Sequence, residues 1–396
     1  MTRRNPLSTT KQKQLDRLKR FRDRLRGLIT RVKPPQPTPP APETRAPPIE
    51  TQLHALPTDE RGVDALPAES SVPVTPDATP SPAPQPASPL ISAQTFEGSA
   101  RSENGATSPW LLLPPERRYR LYVPAHVRDE RALPLVVMIH GCKETADEFA
   151  QGTRMNAIAD REGFAVLYPD QASFANMRRC WNWFEPNTAA GFGECAIILE
   201  MIREAFKRTS IDSQRVYVAG MSSGAALAGL LGYHHPEVFA AVAVHSGLPP
   251  MNPPSAAAAL SAMEKGVRVD AEMLADAYWN THAVLPPTLL VVHGDADSRV
   301  TEKNATSMTK LWEKLFESAP QAHPLVREDK DVPSTETARS YAQIDWLNAG
   351  RIVIRGVRIH GLAHAWSGGD PAFAYNDAKG PDASAMIWRF FERQSR

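Results

Sequence analysis

The stretch Arg215-Val-Tyr-Val-Ala-Gly-Met-Ser-Ser-Gly-Ala-Ala-Leu-Ala-Gly-Leu-Leu-Gly-Tyr233 decides the fold. Residues 215–219 read as a buried strand, and 223–233 as an Ala/Leu-rich helix. Between them lies Gly220-x-Ser222-x-Gly224. A strand that passes into a helix through so tight a turn needs very small residues two positions either side of its apex. Such a turn lifts the Ser222 hydroxyl above the sheet edge. It also aims the first amides of the following helix at any negative charge that develops there. An inert Gly/Ser-rich turn is the plainer reading of the same residues. The strand–turn–helix setting favours the reactive one, and Ser223 lacks the glycine spacing.

Working outward, the same texture repeats. Strands are predicted at 118–123, 135–139, 164–168, 240–244, 288–292 and 351–359, and helices at 155–162, 193–208, 303–317 and 383–393. Several of the strands are continuous apolar runs, as expected when helices cover both faces. The alternation predicts an α/β class with a mostly parallel sheet and helices on both faces.

A serine hydroxyl needs a base, and the base needs an orienting acid. In this kind of fold they follow in the order Ser, Asp, His. The strand at 288–292 runs into His293-Gly-Asp-Ala-Asp-Ser-Arg-Val300, where Asp297 is the expected acid. Asp295 is expected to be a turn residue bonding its own backbone. The late loop His360-Gly-Leu-Ala-His-Ala-Trp-Ser-Gly-Gly369 offers His364 as base, with His360 at the strand end in a structural role. His245 and His293 sit near strand ends and read as structural. Stabilising an oxyanion takes two backbone amides. Ser223 is one candidate. Cys142, in His140-Gly-Cys-Lys-Glu-Thr145 after the strand at 135–139, is the other, although His140 and Gly141 would also simply end that strand. Trp181, Trp183, Phe184 and Trp366 are candidates for an apolar wall around an acyl group. Core packing explains the first three equally well.

The formal net charge of +1 hides an asymmetry. Residues 1–33 carry 12 Lys+Arg against 2 Asp+Glu, which leaves about −9 on the rest. Leu15, Leu18, Phe21, Leu25, Leu28, Ile29 and Val32 form one stripe at intervals of three and four, opposite a Lys/Arg face. The reading for 1–33 is therefore a basic amphipathic helix, whose residues 11–32 would lie on an anionic surface such as a membrane or polymer granule. A solvated helix or partner-binding stub is the alternative, and no nucleic-acid partner is expected. Pro34 ends that helix, and residues 34–90 hold 17 of the 37 prolines. Such composition cannot offset its ordering entropy, so 34–95 reads as a disordered spacer and 96–396 as the α/β domain. No run approaches a membrane span, and the N-terminus lacks the apolar core of a secretory leader. Cys142, Cys180 and Cys195 have no CxxC spacing. No metal or other cofactor is expected. One disulfide with one free thiol, and three free thiols, are both compatible with that count.

Several motifs taken together resemble the esterase/polyhydroxybutyrate (PHB) depolymerase family of α/β-hydrolases. They are His140-Gly-Cys142, Arg179-Cys-Trp-Asn-Trp-Phe184, Gly220-Met-Ser-Ser-Gly224, Val244-His-Ser-Gly-Leu-Pro249, His293-Gly-x-x-Asp297, Gly361-x-x-His-Ala-Trp-x-Gly-Gly369 and Ala383-x-x-Met-Ile-Trp-Arg-Phe-Phe391. They occur in order over roughly 95–396. The resemblance implies a serine esterase using Ser222, Asp297 and His364, with Cys142 as an oxyanion donor. It implies short-chain polyhydroxyalkanoates as substrate, with feruloyl or acetylxylan esters as the alternative. It also implies an extracellular protein, whereas the missing leader points to a cytoplasmic or granule-associated one. Against this pattern Cys142–Cys180 is the better disulfide pair, with Cys195 left over. A peptidase on the same fold, and a non-catalytic surface-binding protein working through its N-terminal helix, are the weaker readings.

Overall fold

Alternate residues of the run 133–139 go to opposite faces of one sheet. Leu135, Val137 and Ile139 join one apolar cluster, while Val136 and Met138 join another on the far side. Period-two side chains produce this result only when both faces are covered. The computed structural model describes residues 93–102, 116–125, 132–320 and 322–396. The helix expected within 1–33 and nearly all of the spacer expected at 34–95 lie outside the described residues.

The strands of the main sheet are β1 (Gln94–Arg101), β2 (Glu116–Val123), β3 (Leu133–Ile139), β4 (Ala165–Asp170), β5 (Ile211–Met221), β6 (Ala241–His245), β7 (Thr288–Gly294), β8 (Val326–Val332), β9 (Tyr341–Asn348) and β10 (Arg351–Ile359). They form one ten-stranded sheet in the order β1-β2-β4-β3-β5-β6-β7-β10-β9-β8. From β4 to β10 all neighbours are parallel. Antiparallel ribbons extend both edges: β2 and β1 on one side, β9 and β8 on the other. Strand β1 begins at Gln94, two residues before the domain start expected at 96.

The helices are α1 (Ala146–Thr153), α2 (Met155–Glu162), α3 (Pro186–Ala189), α4 (Glu194–Arg208), α5 (Ser223–His234), α6 (Ala256–Lys265), α7 (Ala271–Thr281), α8 (Lys303–Glu317) and α9 (Ala383–Phe391). Ile198 of α4, Leu227 of α5 and Trp312 of α8 pack in the first cluster. Phe149 of α1, Ile158 of α2 and Trp388 of α9 pack in the second. The α9 face is fixed by ring stacking, with Trp388 on Phe164 and Phe391 on Tyr217. Helix starts are anchored as the sequence requires. Thr145 and Glu148 form a reciprocal capping box on α1, and Asp382 accepts the Ala385 amide at α9. Each such cap contributes about 1 kcal/mol. No helix of the described residues is long and apolar enough to cross a membrane.

This arrangement positions a site because every parallel strand ends on the same edge. The segments after β3, β4, β5, β7 and β10 all emerge there, which is where open α/β sheets hold their ligands.

Candidate active site

Ser222 sits at the apex between β5 and α5 with φ 57° and ψ −118°. A non-glycine residue in that region is strained by about 1–3 kcal/mol. The neighbours hold it there. The Ser222 amide donates to the His245 carbonyl at 3.0 Å, and its carbonyl accepts the Ala226 amide at 3.0 Å. Both flanking glycines are sterically required. A methyl on Gly220 would lie 2.5 Å from the Gly224 carbonyl, and one on Gly224 would lie 2.2 Å from the Ile139 oxygen. The elbow is thus packed backbone against backbone on the end of β3.

The base has to come from farther away. His364 follows β10, three strands from β5, or roughly 14 Å at the usual strand spacing. Its loop crosses that distance in pinned steps. The Ala296 amide donates to the Leu362 carbonyl at 3.2 Å, and Leu362 itself is fully buried. Trp366 then stacks on His245 with ring centroids 5.0 Å apart. The result is a continuous hydrogen-bonded chain. Ser222 Oγ lies 3.0 Å from His364 Nε2, and His364 Nδ1 lies 2.7 Å from Asp297 Oδ2. The second Asp297 oxygen accepts the Arg299 and Val300 amides, each at 2.9 Å.

Burial alone would raise the Asp297 carboxyl. The bond and charge of His364, together with the Val300 amide, outweigh burial and hold it below the ordinary carboxylate range. An ionised carboxylate only accepts, so the proton on His364 sits at Nδ1. Nε2 is left to accept from Ser222. His245, beneath the site, is pushed down to about 3 by burial and stays neutral.

The loop after β3 closes the other side. His140 is buried with both ring nitrogens engaged: Nδ1 with the Gly141 carbonyl at 2.7 Å, Nε2 with the Gln171 amide at 3.0 Å. Cys142 and Cys180 form the disulfide that the family resemblance implied, and Cys195 is free and buried. Cys142 Sγ lies 3.4 Å from Ser223 Oγ, so the two expected oxyanion donors are neighbours. The bond ties the loop to the segment after β4. Closing a loop of 38 residues in this way removes about 4 kcal/mol of unfolded-chain entropy. That segment is held from beneath by buried Glu194, which accepts from the Asn182 amide at 2.6 Å and from Gln171 at 2.6 Å, with Arg117 at 3.6 Å.

The structure corrects two expectations. Trp181, Trp183 and Trp366 are core residues with at most 4% of their surface accessible, which is the packing alternative for the first two and leaves little ring surface to meet an acyl group. Trp181 donates to the His140 carbonyl and Trp366 to Ser384 Oγ, so the polar end of each indole is satisfied inside the protein. Asp295 does not bond its own turn. It accepts the Gly361 amide at 2.7 Å and pairs with His360 at 2.8 Å, clamping the loop after β7 to the loop after β10. His360 is hydrogen-bonded as expected, but half-exposed. His245 and His293 are buried, and His293 bonds the Val300 carbonyl at 2.8 Å. Sequence reasoning missed Glu144, a buried carboxyl accepting the Gly141 amide at 2.8 Å. No motif marks it, because a glutamate in a polar loop reads as solvated.

Residues 117–320 match the family described as esterase PHB depolymerase, a little over half of the 396-residue chain. The chain belongs to this family. Ser222, Asp297 and Cys142 fall within the matched family region, and His364 lies beyond it. Poly(3-hydroxyalkanoate) depolymerase C of Paucimonas lemoignei is 34% identical over 175 residues, which are 43% of this chain and 42% of that protein. The chain thus spans less than half the length of that relative. Feruloyl esterase B of Neurospora crassa is 28% identical over 254 residues, 62% of this chain and 82% of that one. Among solved structures, an acetyl xylan esterase from Aspergillus awamori superposes with a TM-score of 0.55 at 20% identity, covering 74% of this chain and 99% of its own. The fold of this esterase/PHB depolymerase family member is that of the α/β-hydrolases.

Proposed function

We propose that the chain is a serine carboxylic-ester hydrolase in which Ser222 is the nucleophile, His364 the general base and acid, and Asp297 the orienting acid. The hydrogen-bonded chain from Asp297 through His364 to Ser222 carries this reading. Ser222 Oγ attacks the ester carbonyl carbon while its proton passes to His364 Nε2. The ionised Asp297 stabilises the imidazolium. The Ser223 and Cys142 amides donate to the oxyanion. The imidazolium then protonates the departing alkoxide. Water, deprotonated by the same nitrogen, releases the acid from the acyl-enzyme.

The substrate class we propose is short-chain polyhydroxyalkanoate, on the strength of the 34% identity to the depolymerase. Feruloyl or acetylated polysaccharide esters are the second reading, favoured by the 82% coverage of feruloyl esterase B. The disulfide supports an oxidising, extracellular-type compartment. The Lys/Arg face of the stretch 11–32 would hold the enzyme at an anionic surface such as a membrane or granule.

The test is release of 3-hydroxybutyrate from amorphous PHB by the full-length protein. The expected result is release of 3-hydroxybutyrate from a sample that also turns over p-nitrophenyl butyrate. Ester turnover without 3-hydroxybutyrate would overturn the polymer reading, and ferulate or acetate release from polysaccharide would establish the second. Co-sedimentation with anionic liposomes that is unchanged on deletion of residues 1–90 would remove the surface contact.

A further inference from the structure

Glu144 has no part in the triad, yet it stands one residue's width from the nucleophile. Its Oε2 accepts the Gly141 amide at 2.8 Å. A methyl placed on Gly141 would lie 2.9 Å from that oxygen and 3.5 Å from Ser222 Cβ. Glu144 is 3% exposed. Among the described residues no Lys or Arg pairs with it.

The groups around it give an acid no reason to ionise. Glu148, on the first turn of α1, caps Thr145 and adds a like charge. His140, at the end of β3, is kept neutral by burial, with Asp170 3.9 Å from its Nε2 and Arg179 3.7 Å from Asp170. Lys143, on the same turn, is exposed.

We propose that Glu144 is a positioning residue for the oxyanion loop. Its buried carboxyl fixes the Gly141–Cys142 turn beside Ser222, and loss of its proton on the alkaline side opposes the reaction. In the neutral form one carboxyl oxygen accepts the Gly141 amide, and no net charge faces the site. Ionised, the same group places a full negative charge on the side of Ser222 where the substrate oxygen itself becomes negative. Like charges in so dry a place repel strongly. Burial, with the charge of Glu148 added, pushes this carboxyl up to about 8 despite the Gly141 bond. It is thus neutral at neutral pH and ionises within an ordinary assay range.

The inference rests on the serine-hydrolase reading and is tested on the full chain by the shape of the pH profile. For wild type, kcat on p-nitrophenyl butyrate is expected to fall about tenfold per pH unit above a midpoint near 8, with KM little changed. Glu144→Gln keeps an acceptor for Gly141 but cannot ionise, so its profile is expected to lose that limb. Glu144→Ala lacks the acceptor and is expected to lower kcat about tenfold below pH 8, through kcat rather than KM, and also to lose the alkaline limb. An alkaline limb that persists in Glu144→Gln would overturn the proposal. In case the variants fold poorly, a carbon-13 titration of glutamate carboxyls in the wild-type protein reads the group directly. With the resonances assigned residue by residue, since burial also raises Glu194, Glu144 is expected to titrate near pH 8, and a Glu144 midpoint below about pH 6 would overturn the proposal. That titration does not depend on ester turnover, so failure of Glu144's role and failure of the hydrolase reading are separable.

Discussion

Asp297→Asn is expected to lower kcat on p-nitrophenyl butyrate by about 10⁴-fold while leaving the fold intact. The reason lies in the second carboxylate oxygen. Asp297 Oδ1 accepts the Arg299 and Val300 amides. In the asparagine variant the amide oxygen is held at those two donors, so its NH₂ must face His364. An NH₂ donates, and it forces Nδ1 of His364 to accept. The ring proton then moves to Nε2, pointing at Ser222 Oγ, which can no longer hand over its own proton. The geometry survives in the wrong tautomer. Steady-state kinetics beside a thermal melt would check this: a loss confined to kcat with an unchanged melting temperature is expected. Activity within tenfold of wild type would show that Asp297 does not orient the base.

Gly224→Ala is expected to damage both stability and activity, for a steric reason. The added methyl would lie 2.2 Å from the Ile139 oxygen and 2.4 Å from the His140 oxygen, both backbone atoms that no rotamer change can clear. The start of α5 and the end of β3 must separate, which moves Ser222 away from the loop carrying Cys142. Overpacking of this kind costs about 1–3 kcal/mol. That corresponds to a fall in melting temperature of roughly 5–10 °C for the upper end of the range, and kcat should fall by about 10²-fold as the donors leave register. Gly356→Ala is the control, since its methyl would meet only side-chain atoms at 3.6 Å or beyond, an ordinary contact. Equal stability of the two variants in thermal unfolding would contradict the packing of the elbow.

The central strands were legible because burial on both faces leaves no place for a polar residue. The strand at 351–359 and the helices at 155–162 and 303–317 are found at their expected bounds. Ser222 was legible for the steric reason just given. The antiparallel edges were not. β8 reads Val-Arg-Glu-Asp-Lys-Asp-Val and is exposed along nearly its whole length, so it has no apolar alternation to reveal it. Its charges are those that discourage edge-to-edge pairing. The tryptophans left two readings open, because an indole suits a pocket wall and a core equally well until its N–H partner is known. Asp295 and Asp297 lie two residues apart and each meets a histidine, His360 and His364. Which pair reaches Ser222 depends on how the loop after β10 curls back across three strands, and that is tertiary information. Glu144 left no trace in the sequence, because its character comes from burial rather than from spacing.

The most direct measurement is the site of covalent labelling by a fluorophosphonate probe on the intact full-length protein, read by peptide mass spectrometry. The account predicts one phosphonylated residue, Ser222, and no labelling of Ser222→Ala. A label on Ser223 or any other residue, or a Ser222→Ala protein that labels as fast as wild type, would contradict it.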